Sequence, residues 1–169
     1  TNTLIDRITR PLSRRTEALD ADVVQEVIEA LKSIRATGNG ALIVFVGNTA
    51  LDHIMDAGDR LDAVISARLI YTIFQKESPL HDGAMIIEDN KIRSVRCILP
   101  ISKSTSLDAE LGLRHRSAVG LTEISDALVV IVSEERRELS LANGGKLVRS
   151  VDYLEIEDAI SRHYQRSGK

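Results

Sequence analysis

The sequence predicts an α/β fold, a single domain in which a central mixed β-sheet is surrounded by helices. Two observations carry that expectation. Short apolar runs of strand length intermix with segments of helical periodicity. At least two pairs of runs are separated by tight-turn residues, so they form hairpins, and hairpins make antiparallel pairs that a purely parallel doubly wound sheet lacks. A length of 169 residues suits one domain with a short extra segment at an end, and 43% apolar residues allow one sizeable core. Aromatics are 3% of the chain, so that core rests on Val, Ile, Leu and Ala.

The elements follow in order. Residues 1–15 are a lead-in in which Arg7, Arg10, Arg14 and Arg15 against Asp6 leave a local charge of +3. Either it is an ordinary solvated arm or it is a basic segment beside a membrane. From Asp20 to Arg35, Val24, Val27, Ile28, Leu31 and Ile34 recur at three- and four-residue steps, which predicts a helix capped by Asp20 or Asp22 and ended by Gly38 and Gly40. Ala41–Val46 is a continuous apolar run, a strand buried on both faces. A short helix is expected over Leu51–Met55, and Ser66 caps another over Ala67–Phe74. Beyond Pro79, Ala84–Glu88 and Ile92–Leu99 form a hairpin around Asn90. Ser102–Ser106 is a polar loop, and Gly112 precedes a helix running through Ala118 and Leu121. Leu128–Val132 is a second buried strand. Leu139–Ala142 and Leu147–Val148 close a hairpin through Asn143 and Gly144. Asp152 and Glu155 cap a final helix reaching about Tyr164.

Composition narrows the function. A formal charge of −3 argues against a general nucleic-acid binder, and a polyanionic substrate must be held by a local cluster of cations. The lone cysteine, Cys97, sits among apolar residues; it fits a reducing compartment and reads as a small buried apolar side chain. No apolar run approaches the ~20 residues that span a bilayer, and no signal peptide is visible. The chain begins at Thr1 rather than Met, so a preceding membrane anchor stays open.

Three clusters could carry chemistry. His81-Asp82-Gly83-Ala84 stands at the mouth of a strand. Asp82 can accept a proton from a hydroxyl or hold a divalent metal, and Gly83 lets a phosphate approach the backbone. A plain turn, with Asp82 bonded to nearby N–H groups, explains the same residues. Arg114-His115-Arg116 opens a helix, where two cations oppose the macrodipole; a bound anion resolves that conflict, and a solvated basic turn is the alternative. Ser133-Glu134-Glu135 follows a buried strand, as functional groups often do, and as a solvated acidic turn also does. Together they supply carboxylates and an imidazole for metal, arginines for phosphate and a glycine for close approach. That inventory suits metal-assisted phosphoryl or nucleotidyl transfer.

At these residues the chain resembles the diadenylate cyclase (DAC) family. Asp82-Gly83-Ala84 and Arg114-His115-Arg116 look like its two signature motifs. Pro79-Leu80-His81, Leu99-Pro100, Glu110-Leu111-Gly112, Ala118-Val119-Gly120 and Ile131-Val132-Ser133-Glu134-Glu135 match their surroundings. The likeness runs from about Ala21 to Leu147 and is strongest to the membrane-attached type, whose catalytic domain follows several transmembrane helices. It implies the DAC-domain fold, with residues 1–19 as a basic lead-in and 20–169 as the catalytic domain. It implies condensation of two ATP into cyclic di-AMP across a face-to-face homodimer, in a cytoplasmic domain tied to the membrane through a region before residue 1, with a regulatory protein as a further partner. By resemblance, the catalytic set is Asp82, Gly83, Ala84, Arg114, His115 and Arg116. Asp82 activates the ribose 3′-hydroxyl and contacts the metal. His81 and Glu135 are further ligands of a divalent ion (Mn, Co or Mg). Gly83, Arg114 and Ser133 hold phosphates with Glu134 nearby, the backbone of Leu99 reads adenine, and His115 and Arg116 shape the motif.

Two positions depart from the pattern. Leu113 stands where family members commonly carry a hydroxyl, and Ile98 where related enzymes often place Tyr beside the adenine, a change worth ~1 kcal/mol of stacking. They keep alive a rival reading, a non-catalytic adenine-nucleotide-binding module of the same fold. Two other rivals are a metal-dependent phosphohydrolase built on His81 and Asp82, and a purely structural or partner-binding domain.

Overall fold

The apolar run Ala41–Phe45 forms β1, a middle strand of a seven-stranded sheet, and none of its residues reaches solvent appreciably. Both neighbours are equally apolar: β3 (Ala84–Glu88) lies parallel to it and β5 (Leu128–Val132) antiparallel. A strand covered on both faces needs apolar side chains at every position, which is why these three runs show no polar alternation. The computed structural model describes residues 19–167. The basic lead-in expected over 1–15 lies outside the described residues.

The helices are α1 (Ala21–Ala36), α2 (Asp52–Ala57), α3 (Ala67–Ile73), α4 (Leu113–Ile124) and α5 (Tyr153–Ser167). The strands β2 (Asp59–Val64), β4 (Lys91–Cys97), β6 (Leu139–Asn143) and β7 (Lys146–Val148) complete the sheet in the order β2-β4-β3-β1-β5-β6-β7. Alternate residues of the central strands enter two separate cores. One gathers Ile43, Phe45, Met85, Ile87, Val130 and Val132 under α1, α3 and α5. The other gathers Leu42, Val44, Ile86, Val129 and Ile131 under α2 and α4. The mixed sheet between two helical layers is the architecture expected from the sequence.

Local signals explain most boundaries. Ser66 caps α3 by accepting the Leu69 N–H at 3.1 Å. At α5, the Glu155 N–H donates to Asp152 and the Asp152 N–H to Glu155, each at 2.7 Å, a reciprocal capping box. The β3–β4 turn holds Asp89 and Asn90 at φ 52° and 63°, and the β6–β7 turn holds Gly144 and Gly145 at 58° and 78°. Two consecutive left-handed residues give the two-residue loops that match strand twist.

One expectation needs correction, and one strand goes unannounced. Asp20 precedes α1 but makes no side-chain capping bond; its carboxylate accepts from Asn90 Nδ2 at 3.3 Å instead, tying the helix start to the β3–β4 turn. The unannounced strand is β2. Asp59-Arg60-Leu61-Asp62-Ala63-Val64 carries three charges and lies almost wholly exposed at the sheet edge, so it presents no apolar run. Pairing with β4, broken by a register shift between Arg60 and Ala63, makes it a strand.

Candidate active site

One end of the sheet collects the start of β1, the residues before β3, the start of α4 and the turn after β5 around a cavity of about 420 Å³. Asp82, Gly83, Arg114, His115, Ser133, Glu134 and Glu135 all line it, so members of three clusters far apart in the sequence converge.

Gly83 sits at φ +89°, and an added Cβ would lie 2.9 Å from the Arg96 carbonyl carbon and the Cys97 carbonyl oxygen. Only glycine meets both demands, and it keeps the backbone before β3 pressed against β4. That closeness leaves Asp82 facing solvent with 85% of its side chain exposed. His81 is half-buried. Its Nδ1 lies 2.7 Å from the Ser78 carbonyl, to which it donates as N–H, and its Nε2 lies 3.2 Å from Asp82 Oδ1. Fixing one ring nitrogen this way presents the other, beside a carboxylate, as a ligand pair for a cation. Ala84 is fully buried opposite Cys97 and takes no part in the cavity wall.

At α4 the unfavourable pair of arginines is resolved in two ways. Arg116 turns back, donating from Nε to the Leu111 carbonyl at 3.2 Å and from Nη2 to the Asp108 carbonyl at 3.0 Å, and so holds the loop that leads into the helix. Arg114 points to the cavity, with Nη1 3.8 Å from Glu134 Oε2; Lys76 Nζ meets the same carboxylate's other oxygen at 3.3 Å. His115 is buried between them. Burial holds its imidazole below the usual range, opposed by Glu138 and aided by the charges of Arg149, Arg136 and Arg114. Its Nε2 has no hydrogen-bond partner among the described residues. Behind it, Arg149 donates to Glu138 at 2.8 Å and keeps that carboxyl below the ordinary range, while reaching Asp108 at 3.4 Å. Ser133 is buried and its Oγ accepts the Arg136 N–H at 3.2 Å. Leu99 is buried in the second core, just past β4, and is not in the cavity wall.

Sequence reasoning missed several residues. Glu110 and Arg136, joined at 2.8 Å, stand in the wall, as does Leu42. Glu110 follows two residues before Gly112 in a flanking motif, but nothing in the linear pattern pairs it with Arg136. The cavity carboxylates Asp82, Glu110, Glu134 and Glu135 outnumber the arginines Arg114 and Arg136. A polyphosphate would meet a surplus of negative charge in such a wall, which a cation beside it would offset, and His81 with Asp82 offers a donor pair for one. Glu135 lines the cavity, but among the described residues no three metal-ligating side chains gather in one group.

Comparison with known proteins matches residues 28–147 to the family described as DAC, DisA bacterial checkpoint controller nucleotide-binding. The chain belongs to the DAC family. It is 45% identical over 121 residues to the diadenylate cyclase CdaS of Bacillus thuringiensis, covering 72% of this chain and 60% of that protein. It is 38% identical over 146 residues to the diadenylate cyclase of Listeria monocytogenes, covering 86% and 54%, and 32% identical over 151 residues to the cyclic di-AMP synthase CdaA of Bacillus subtilis, covering 89% and 55%. This DAC chain therefore spans little more than half the length of these relatives. Its fold superposes on a double mutant of DacA from Staphylococcus aureus with a TM-score of 0.83 at 40% identity, over 85% of this chain and 95% of that one. Membership in the DAC family carries the expectation of a divalent metal. Among the described residues no helix is long and apolar enough to cross a membrane.

Proposed function

We propose that this DAC domain condenses two ATP molecules into cyclic di-AMP, releasing two pyrophosphates. The observation that carries the reading is the convergence of Asp82-Gly83, Arg114 and Ser133 on one cavity. Each 3′-oxygen attacks the α-phosphorus of the other ATP. Its proton passes to the Asp82 carboxylate, the new oxygen–phosphorus bond forms, and the bond to the β-phosphate breaks as pyrophosphate leaves. Arg114 and the backbone at Gly83 bind the phosphates, and Ser133 adds a hydroxyl. His81 and Asp82 would hold the divalent ion, Mn, Co or Mg, with Glu135 as a further donor; such an ion would supply charge to offset the phosphates and acidify the hydroxyl.

One domain holds one ATP, so the ring needs two domains facing each other. The surface supports this: Asp82 is open to solvent, Leu113 with it in the cavity wall is 66% exposed, and Ile98 and Ile101, past the end of β4, are 84% and 54% exposed. A second copy would cover them. The names of the relatives support an ATP substrate, and the lead-in over 1–19 is proposed to continue from a membrane-attached region on the cytoplasmic side, with the catalytic domain over 20–169. A regulatory protein partner belongs to the same reading.

The test is incubation with ATP and Mn²⁺, then Mg²⁺, with products identified by chromatography and mass. Cyclic di-AMP with pyrophosphate is the expected result. ATP bound but unchanged under both metals would instead favour the non-catalytic nucleotide module, for which the exposed Leu113 in the cavity wall is the specific observation.

A further inference from the structure

Gly40 belongs to neither signature motif. It ends the turn between α1 and β1, is buried, and does not have a left-handed backbone, so the main chain itself does not demand glycine there. A methyl group at this position would stand 2.7 Å from both Cζ and Nη1 of Arg114 and 3.1 Å from its Nε. All three are guanidinium atoms, and the guanidinium thus lies flat on the bare Cα of Gly40. The contact with Glu134, at 3.8 Å, is too long to be a hydrogen bond, so packing on Gly40 has the larger part in setting the plane of the group. The same turn receives a second guanidinium: an added Cβ at Gly38 would come within 3.0 Å of Arg137 Nη2, while Arg35 Nε donates to the Arg137 carbonyl at 2.6 Å. The α1–β1 turn therefore abuts both the start of α4 and the turn that carries Ser133, Glu134 and Glu135.

We infer that Gly40 is a positioning residue for nucleotide binding: its missing side chain is the seat that aims the Arg114 guanidinium into the cavity. The inference rests on the reading of Arg114 as a phosphate ligand. A bidentate guanidinium tolerates little displacement, because its donors are fixed in a planar fork. A methyl at residue 40 moves that fork without removing its charge.

The experiment compares wild type, Gly40→Ala, Arg114→Ala and the double variant. ATP affinity is measured by calorimetry with Mn²⁺ present, and the Arg114 Nε–H resonance by NMR without nucleotide. Gly40→Ala is expected to melt within about 5 °C of wild type, to shift the Arg114 Nε resonance, and to bind ATP roughly tenfold more weakly, the scale of one charge-assisted hydrogen bond. In the Arg114→Ala background the same substitution should cost nothing further. Equal ATP affinity in wild type and Gly40→Ala overturns the inference, as does a loss that persists undiminished without Arg114. Should wild type bind no ATP, the proposed function falls, while an unmoved Arg114 resonance alone would overturn the seat. If Gly40→Ala does not fold, the double variant with Arg114→Ala decides: alanine lacks all the crowded atoms, so its folding supports the seat and its failure to fold refutes it.

Discussion

Asp82, the proposed proton acceptor, combines near-complete exposure with a fixed backbone. Gly83 supplies the second by its left-handed conformation and its contact with β4. Replacing Asp82 with Asn preserves shape and removes the proton acceptor, so Asp82→Asn should fold, bind ATP and make no cyclic di-AMP; substantial turnover in a coupled pyrophosphate assay would remove Asp82 from its role. Gly83→Ala attacks the scaffold instead. A side chain there meets backbone atoms and an unfavourable φ, which together should cost about 2 kcal/mol or more in urea melts. The same scale shows the limit of motif reading. Arg114 and Arg116 are alike in residue type, and only the family resemblance separates their roles; in the structure one guanidinium faces the cavity and the other satisfies the carbonyls of Asp108 and Leu111. Two helix positions apart, they point different ways, and only the surrounding loop tells which carbonyls are within reach.

Among elements, α4 is the one the site depends on most. It opens with cations, has no side-chain cap at Gly112, and approaches the loop after β4 so closely that a Cβ on Gly120 would collide with the Pro100 carbonyl. The Ser102 N–H donates to the Arg116 carbonyl at 2.9 Å across the same junction. Gly120→Ala should therefore push the helix from its seat, lowering thermal stability by several degrees and ATP affinity with it; an unchanged melting temperature would mean that the two backbones are free to part. α5, by contrast, carries its own start signal. Asp152→Ala removes half of the capping box and should cost about 1 kcal/mol in denaturant melts while leaving nucleotide binding intact. These two cases mark what was legible in the chain. Caps, apolar strands and two-residue turns are local, and most announced themselves, the cap expected at Asp20 being the exception. β2 did not, because an exposed edge strand with charges needs only a neighbour's hydrogen bonds, and that neighbour, β4, follows it by about 30 residues.

Across the whole molecule, charge and burial set the response to acid. Burial keeps the imidazoles of His115 and His163 below the ordinary range. The folded state then binds fewer protons than the unfolded chain, so stability should fall as pH drops below about 6.5. Glu138 is held low by its bond from Arg149; Asp126 is held low because N–H bonds from Thr49 and Asn48 outweigh its burial. Both add a further loss as pH falls through their depressed values. Melting temperatures measured between pH 7.5 and 4 should decline once the pH falls below about 6.5, and a flat profile between 7.5 and 5 would refute the contribution of the histidines. The sequence by itself determined the fold class and the three central strands, and its motifs named Asp82, Gly83, Arg114, His115, Ser133, Glu134 and Glu135, which the fold gathers at one cavity, because apolar periodicity, caps and the two motifs with their flanks are written in adjacent positions. Only the tertiary structure decided which carbonyls Arg116 binds, that Asp82 stands open, that α1 begins by bonding Asn90, and that Gly40 lies under Arg114. Each of those depends on a contact between residues far apart in the chain, where distance and direction come from the packing of the sheet and no local pattern records them.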